Sequence, residues 1–345
     1  MPRPRPLPVE LGDAFSVADA LGAGVSKRRL RALDLATPFH GVRRVPSKDE
    51  STAETEAGRE ARSSTEAEQS TGEAPLALDR RRRAATLRDA RAYSQIMRPG
   101  AFFCGRTAAC LFGAPVAPGG ELDVAVCAPQ RAPRARGIHG RKVSQRLAAV
   151  TELEELPIST PASTWTMLGR DLSERELVVA GDFFVQIPRD RFGRQHPELA
   201  LATLDDLRAM TDAGARPPTT KLLRAALEQI RVGSSSPLET EFRLDAAAVG
   251  LPDPLLDAEI RDEHGRLLGI SEIVYPEFRT VVEIEGDHHR TSRAQWHRDI
   301  EKYRAYVDAG WHVERLTSVH VRNSRHGLSI VAAALAKRGW SGFTR

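Results

Sequence analysis

Two glutamates lie close together near the end of the chain, in the segment Thr280-Val-Val-Glu-Ile-Glu-Gly-Asp-His-His289. The β-branched residues before Gly286 predict a strand, along which side chains alternate between two faces. Glu283 and Glu285 therefore share one face, where neighbouring carboxylates repel each other unless a cation compensates them. Two interpretations are open at this point. The acids hold a cation, or they form a charged sheet edge that discourages aggregation.

A third glutamate lies one predicted hairpin upstream. Glu272 belongs to a strand predicted over 268–275, and antiparallel pairing with a strand over 279–285 would bring it opposite the other two acids. Hard cations such as Mg²⁺ bind carboxylate oxygens, and a bound ion activates water for phosphodiester cleavage. His288 and His289 follow the glycine turn and, titrating near neutral pH, are candidates to orient or protonate a leaving group.

The next predicted helix, over 292–308, adds a cation to this region. Its i, i+4, i+7 spacing places Gln295, Asp299 and Lys302 on one face. Its apolar residues predict that the buried face is formed by Trp296, Ile300, Tyr303 and Val307.

These segments belong to one predicted domain over 237–340. The order of elements is αβββαβα, and it is assigned to helix 237–249, strands 255–261, 268–275 and 279–285, helix 292–308, strand 311–317 and helix 328–338.

At this point the residues resemble a family. They are similar to the bacterial domain of unknown function 559, which is related to very-short-patch-repair endonucleases within the PD-(D/E)XK restriction-endonuclease-like superfamily. The resemblance covers about 85 residues. It rests on Pro237-Leu-Glu-Thr-Glu, Ala-Val-Gly-Leu-Pro252, Tyr275-Pro-Glu, Val-Val-Glu-Ile-Glu-Gly-Asp-His-His289, Arg293-Ala-Gln-Trp-His-Arg-Asp299 and Ala309-Gly-Trp-His-Val-Glu-Arg315.

The resemblance implies roles for particular residues. Glu239 matches the acid on the first helix, Glu272 the first strand acid, Glu283 the second strand acid, and His289 the histidine after the glycine turn. It also implies a Mg²⁺ or Mn²⁺ ion, with Glu272, Glu283 and the carbonyl oxygen of Ile284 as metal ligands.

Two departures from the superfamily pattern bear on activity. The first strand acid is usually Asp, whereas Glu272 extends its carboxylate one methylene further. The superfamily lysine is replaced by Glu285, so that Lys302 or Arg298 would have to supply the cation for the scissile phosphate. The family itself more often has Asp at that position.

The N-terminal residues 10–46 predict a winged helix-turn-helix. A short helix over 15–22 and a turn over 23–25 precede a second helix capped by Ser26, and the segment 39–45 predicts a wing. Basic side chains on the second helix and the wing are candidates for DNA contacts. They are Lys27, Arg28, Arg29, Arg31, Arg43 and Arg44.

Residues 47–79 are predicted to be a disordered acidic insert. Ser47 to Pro75 contain eight acidic and three basic residues and lack large apolar side chains, so they cannot bury enough area to offset their ordering entropy. A mixed α/β middle region over 80–232 follows, with a helix predicted from Arg80 to Met97 and a buried helix over 102–113. The joint Gly233-Ser-Ser-Ser236 is predicted to be flexible.

The N-terminal half also carries a resemblance. Residues up to Val42 are similar to the winged helix of AbiEi-type antitoxins, and Gly105-Arg-Thr-Ala-Ala-Cys-Leu-Phe-Gly113 resembles the Ser/Ala-rich helix of their middle region. The fold class expected for the whole chain is therefore multidomain α/β. It combines a winged helix-turn-helix, a mixed middle region and a restriction-endonuclease-like domain.

The composition indicates the cellular compartment and the kinds of partner that we expect for the chain. The net charge of +4 is mild and unevenly distributed, which is compatible with an anionic partner such as DNA or with a solvated surface. Three cysteines give no disulfide framework. No stretch approaches the ~18 apolar residues of a membrane span, so we expect a cytoplasmic protein with no membrane partner.

Three functions follow as hypotheses. The first is a metal-dependent DNA endonuclease or nickase guided by a winged helix. The second is a non-catalytic, antitoxin-type DNA-binding transcriptional regulator with a nuclease-like scaffold domain. In the third, the middle region and the acidic insert recognise a toxin or another protein partner.

Overall fold

The computed structural model describes residues 5–46, 75–213, 217–285, 293–322 and 326–342. The chain is mixed α/β and forms two compact units, as a multidomain α/β sequence predicts. The first unit contains most residues up to Thr160, and the second contains Pro161–Arg345 with the short stretches 74–76 and 114–116. None of the helices in the described part is long and apolar enough to cross a membrane.

The first unit begins with a small strand pair. Strand β1 (Ala14–Ser16) leads into helix α1 (Val17–Gly22) and pairs antiparallel with β2 (Val42–Arg44), the predicted wing segment. Ser16 caps α1 by accepting the N–H of Asp19 at 3.0 Å. The helix predicted from Phe15 therefore begins two residues later, because residues 14–16 are extended.

The predicted second helix is instead a single 3₁₀ turn at Arg29–Arg31. Ser26 accepts the N–H of Arg29 at 3.2 Å, as a capping residue does, but the chain becomes extended at Ala32, where ψ is 146°. Leu30 and Leu35 are both buried in the small core. Residues five apart do not share one face of an α-helix, so the chain has to leave the helical path to bury both.

A mixed five-stranded sheet forms the rest of the first unit, in the order β5-β4-β3-β7-β6. Its strands are β3 (Ala101–Phe103), β4 (Leu122–Cys127), β5 (Ile138–Val143), β6 (Val150–Leu153) and β7 (Leu156–Ser159). The strand predicted over 122–127 is confirmed. The helix predicted over 102–113 is wrong in its first residues, which form β3, whereas α3 spans Gly105–Phe112.

Helix α2 (Pro75–Ser94) begins five residues earlier than Arg80. Residues 75–79 are therefore helical and not part of a disordered insert. Proline is well suited to the first helical position because its φ is already helical and no N–H is needed there. The remainder of the predicted insert, 47–74, lies outside the described residues.

The second unit starts with four helices. They are α4 (Pro161–Leu168), α5 (Glu174–Val185), α6 (Leu204–Asp212) and α7 (Pro217–Gln229). Trp165, Leu177 and Phe184 are fully buried among them.

A four-stranded sheet with helices completes the second unit. Its elements are α8 (Pro237–Ala248), β8 (Leu255–Arg261), β9 (Leu267–Tyr275), β10 (Thr280–Glu285), α9 (Arg293–Asp308), β11 (His312–Thr317), α10 (Ser318–Arg322) and α11 (His326–Lys337). The predicted order αβββαβα is confirmed, with the short helix α10 in addition. The sheet order is β11-β10-β9-β8, and only the β10–β11 pair is parallel.

The chain is packed at the predicted joint between residues 232 and 237. Ser234 is buried and hydrogen-bonded to the hydroxyl of Thr240 at 2.9 Å. In α5, buried Asp182 accepts Thr240 Oγ1 and Arg243 Nη2 of α8, each at 2.8 Å. The helices before the joint therefore belong to the same compact unit as the sheet after it, and the observed division of the chain falls near residue 160.

Candidate functional site

The three predicted acids come from three different elements of the second unit. Glu239 lies in the first turn of α8, whose N-cap is Ser236. Its side chain is turned back toward the chain before the helix, where Oε2 accepts the N–H of Ser235 at 2.7 Å. Glu239 is only 2% exposed, so this carboxyl group is held inside the unit.

Glu272 and Glu283 meet where the pairing of β9 and β10 ends. The last paired residues are Ile273 and Val282. Beyond them, Oε2 of Glu272 accepts the N–H of Ile284 at 2.9 Å, a hydrogen bond that a strand partner would otherwise provide. The antiparallel pairing expected between the two acidic strands is therefore observed, and Glu283 is buried on β10.

The alternation of side chains is interrupted at Glu272. Ile273 belongs to the core on one face of the sheet, whereas Val274 packs on the other face. In a regular strand Ser271 would share the face of Ile273, but its hydroxyl donates to Glu283 Oε1 at 2.6 Å and contacts Tyr306 Oη at 3.0 Å, on the face of Val274. The irregular strand thus directs Ser271 to Glu283.

Lys302 of α9 supplies the positive charge at the site. Its Nζ lies 2.8 Å from Oε1 of Glu283, and its side chain is 21% exposed. Lys302 and fully buried Tyr306 are on the inner side of α9, whereas Ile300 is 45% exposed and Val307 is 60% exposed. The prediction that Ile300 and Val307 are buried is therefore wrong. The side of α9 that packs on the sheet carries Lys302 and Tyr306, which contact Glu283 and Ser271.

Burial and mutual repulsion change the protonation of two of the acids. Burial raises the pKa of Glu239 to about 7, and the charges of Glu283 and Asp257 add to the shift against the Ser235 N–H. Burial likewise raises the pKa of Glu272 to about 8, helped by Glu239 and Glu283 and opposed by the Ile284 N–H and Lys302. The causes of these shifts indicate that the acids interact electrostatically as one cluster.

The other residues predicted for the site lie outside this cluster or outside the described part of the chain. Glu285 is partly exposed and forms an ion pair with Arg315 on the neighbouring strand β11, so its charge is compensated outside the cluster. His288 and His289 lie outside the described residues, as does the side chain of Gln295.

The oxygen atoms of this cluster are of the kind that a hard cation binds, but Glu283 is paired with Lys302 and the acids are not arranged around a common point. Carboxylate oxygens and a backbone carbonyl oxygen are the ligands that Mg²⁺ prefers. Within the described residues, however, no group of three or more His, Cys, Asp or Glu side chains is arranged to hold a metal ion. In this geometry the pKa values of Glu239 and Glu272 are raised, and Lys302 compensates the charge of Glu283.

A fourth acid, Asp257, was not predicted from the sequence. It lies on β8 between two residues that pair with Ser271 and Ile273, at the level of Glu272. Its φ of 48° is in the left-handed region, and Arg189 Nε contacts its carboxylate oxygens at 2.8 and 2.7 Å. The only local signal in the sequence is an acid that follows two leucines within a predicted strand. The partner, Arg189, is 68 residues away and cannot be found from the neighbouring residues.

The six candidate DNA contacts divide into two groups. Lys27, Arg28 and Arg31 are exposed around the 3₁₀ turn. The other three interact within the first unit. Arg29 contacts both carboxylate oxygens of Asp34, Arg43 donates to the carbonyl oxygen of Leu30, and Arg44 forms an ion pair with Asp89.

Comparison with known proteins adds no family assignment. No protein-family model matches the chain, and the search of curated proteins finds no significant match. The resemblances to the domain of unknown function 559 and to AbiEi-type antitoxins therefore stay predictions, and the case for a function depends on the geometry of the residues.

Proposed function

We propose that the second unit is a metal-dependent DNA endonuclease or nickase whose reaction centre is the carboxylate cluster. The observation that supports it is the convergence of Glu239, Glu272 and Glu283, from one helix and two strands, beside the ammonium group of Lys302. A buried group of like charges is costly unless a cation joins it. The raised pKa values of two of its members are the expected signature of such a group.

Each residue has a role in this proposal. Glu272, Glu283 and the carbonyl oxygen of Ile284 would hold Mg²⁺ or Mn²⁺. When bound, such an ion would polarise the phosphate and activate a water molecule. Glu239 has a pKa of about 7, so it can take up or release a proton near neutral pH during the reaction. Lys302 takes the place of the superfamily lysine and moves from Glu283 to the negative charge of a phosphate. His289 acts on the leaving group.

Binding to DNA is proposed for the N-terminal part of the first unit. Lys27, Arg28 and Arg31 are exposed and carry the positive charge that phosphates attract. Arg29, Arg43 and Arg44 support this segment through contacts within the unit, and they are not proposed as direct contacts.

The test is cleavage of supercoiled plasmid DNA by the full chain during titration with Mg²⁺ or Mn²⁺. Nicked or linear DNA should appear with metal and disappear in EDTA. Glu283→Gln should lower the rate by at least about 100-fold, since it removes a ligand charge but keeps an acceptor for Ser271. Glu259→Gln is the matched control, because Glu259 lies on β8 of the same sheet and pairs with Arg261 at the surface. Equal rates for Glu283→Gln and the parent would exclude this site.

A second function, that of a non-catalytic DNA-binding regulator, is favoured by one specific contact. The ion pair of Lys302 with Glu283 already compensates a proposed metal ligand within the chain. This alternative predicts sequence-selective DNA binding in EDTA, with an affinity that falls steeply with salt, and no cutting at any metal concentration. Binding in EDTA together with metal-dependent cutting would favour the nuclease.

A further inference from the structure

A tightly built turn lies between helices α5 and α6 of the second unit. The N–H of Asp190 donates to the carbonyl oxygen of Arg194 at 2.9 Å, and that of Gly193 donates to Asp190 at 3.0 Å. The Asp190 carboxylate also accepts the N–H groups of Phe192 at 2.8 Å and Arg194 at 3.0 Å. Both the backbone and a side chain therefore hold the tip, residues 191–194, in one conformation.

The tip is attached to the strands that carry the acidic cluster. Besides contacting the carboxylate of Asp257, Arg189 donates to the Asp257 carbonyl oxygen at 2.8 Å and to that of Gly193. Gly193 packs so closely on β9 that an added Cβ would lie 2.6 Å from Cδ1 of Ile270, and its φ is +83°. Since Asp257 lies at the level of Glu272, one guanidinium group links the tip to the proposed reaction centre.

The tip presents an exposed aromatic ring, Phe192, with Arg191 over the ring and Arg194 two residues further along the chain. Phe192 is 76% exposed, which is high for a large apolar side chain on an ordered turn. The guanidinium carbon of Arg191 lies 4.6 Å from the centre of its ring. The pKa of Glu198 is lowered chiefly by its hydrogen bond with His196 and also by the charge of Arg194. Within the part of the chain that the structure describes, neither Arg191 nor Arg194 is close enough to an acidic side chain to form an ion pair. The exposed part of the ring and the two arginine side chains can therefore contact a ligand that has both flat faces and negative groups.

We propose that this tip binds unstacked bases of DNA, with Phe192 stacked on a base and Arg191 and Arg194 contacting the adjacent phosphates. Single-stranded DNA offers both features, whereas the bases of an intact duplex are stacked on one another. The contacts of Arg189 with Asp257 and of Gly193 with Ile270 attach the tip to β8 and β9, the strand pair that includes Glu272. The substrate class of the proposed nuclease, on which this inference depends, is therefore DNA with a single-stranded or locally opened segment.

The experiment measures binding of the full chain to a fluorescein-labelled single-stranded oligonucleotide in EDTA, in the Glu283→Gln background so that no cutting interferes. Adding Phe192→Ala should weaken binding by about 5- to 150-fold, the range found for loss of one base–aromatic stack. Phe192→Trp should restore affinity, and its added tryptophan fluorescence should be quenched on binding. Leu199→Ala is the matched control, since Leu199 is 62% exposed in the same segment and should bind like the background protein.

The outcomes separate this inference from the proposed function. Weaker binding by Phe192→Ala, with rescue by Trp and an unchanged thermal midpoint, supports it. Equal binding by Phe192→Ala and the background overturns it even where the parent cuts plasmid. Absence of any binding to the oligonucleotide also overturns it, and plasmid cleavage then decides separately whether the carboxylate site is a nuclease.

Discussion

Glu239 and Glu272 differ from surface acids in the pH at which they lose their protons. Each is largely shielded from water and close to other acids, so its neutral form is favoured and its pKa is about 7 or about 8. A cation entering the cluster would have to displace those protons. Metal affinity should therefore rise with pH across the neutral range.

The pKa values also predict how stability depends on pH. Between about pH 4.5, the ordinary carboxyl value, and about pH 8, the folded chain binds more protons at Glu239 and Glu272 than the unfolded chain does. Its stability in EDTA should therefore fall as pH rises through this range, by on the order of a few kcal/mol. Urea unfolding of the second unit followed at pH 5 and pH 8 measures the difference.

Substitution assigns this dependence to one residue. Glu272→Gln has no proton to lose, so stability should change less between the two pH values, whereas the surface variant Glu259→Gln should retain the full change. Mg²⁺ should stabilise the parent more at pH 8 than at pH 5, because binding to the folded state adds stability by mass action. An unchanged pH dependence in Glu272→Gln would contradict the assignment.

Lys302 has a separate effect that the pH profile of cleavage can detect. Its charge lowers the pKa of Glu272, so Lys302→Met should raise that pKa above about 8. If cleavage needs the ionised carboxylate, the pH at which the rate rises should move upward as well. A purely structural defect would lower the rate equally at all pH values. Arg261→Met, which removes a surface cation from β8, should leave the profile in place.

At the scale of elements, periodicity predicted the strands well. Strand β8 has the predicted bounds, Leu255–Arg261, and Val282 and Ile284 point into the core as alternation requires. The interruption at Glu272 was not predictable, because it lies at the level of Asp257, whose partner Arg189 is 68 residues away in the sequence. Periodicity also failed for α9, where Ile300 and Val307 are exposed because the helix faces a polar site.

A buried ion pair joins two helices of the second unit. Asp182 is 1% exposed, and Arg243 Nη2 lies 2.8 Å from its Oδ2. Removing one partner leaves the other charge buried, so Arg243→Met should cost about 3–5 kcal/mol of unfolding free energy. Arg224→Met is the control, because the side chains of Arg224 and its partner Asp212 are 64% and 54% exposed, and it should cost about 0–1 kcal/mol. Equal losses in urea unfolding would refute the distinction.

The 3₁₀ turn of the first unit predicts which cations contact DNA. Replacing Lys27, Arg28 and Arg31 together by Ala should reduce the slope of log affinity against log salt by about 0.9 for each lost phosphate contact. Asp89→Asn is the control for folding effects, because it alters the ion pair of Arg44 and leaves the three exposed cations unchanged. A salt slope that does not change in the triple variant would remove this turn from the binding surface.

For the whole molecule, composition was a poor guide to where one unit ends. The Gly-Ser segment at 233–236 predicted a linker, yet Ser234 is buried, and polar contacts from Asp182, Arg175 and Arg189 reach residues after it. Small and polar residues are as well suited to a tight packed turn as to a linker, so only the long-range partners distinguish the two. Those partners cannot be found from local sequence.

This division of the chain predicts how fragments behave. Residues 161–345 contain both sides of the Asp182–Arg243 and Arg189–Asp257 pairs and should unfold cooperatively as an isolated protein. Residues 237–345 retain Arg243 and Asp257 but lose the partners of both. In this fragment the face of α8 that packs on α5 would be exposed, so the fragment should be less stable or should aggregate. Circular dichroism and urea unfolding of the two fragments measure this. Cooperative unfolding of 237–345 with the stability of the longer fragment would show that the sheet and its helices form a domain independent of α4–α7.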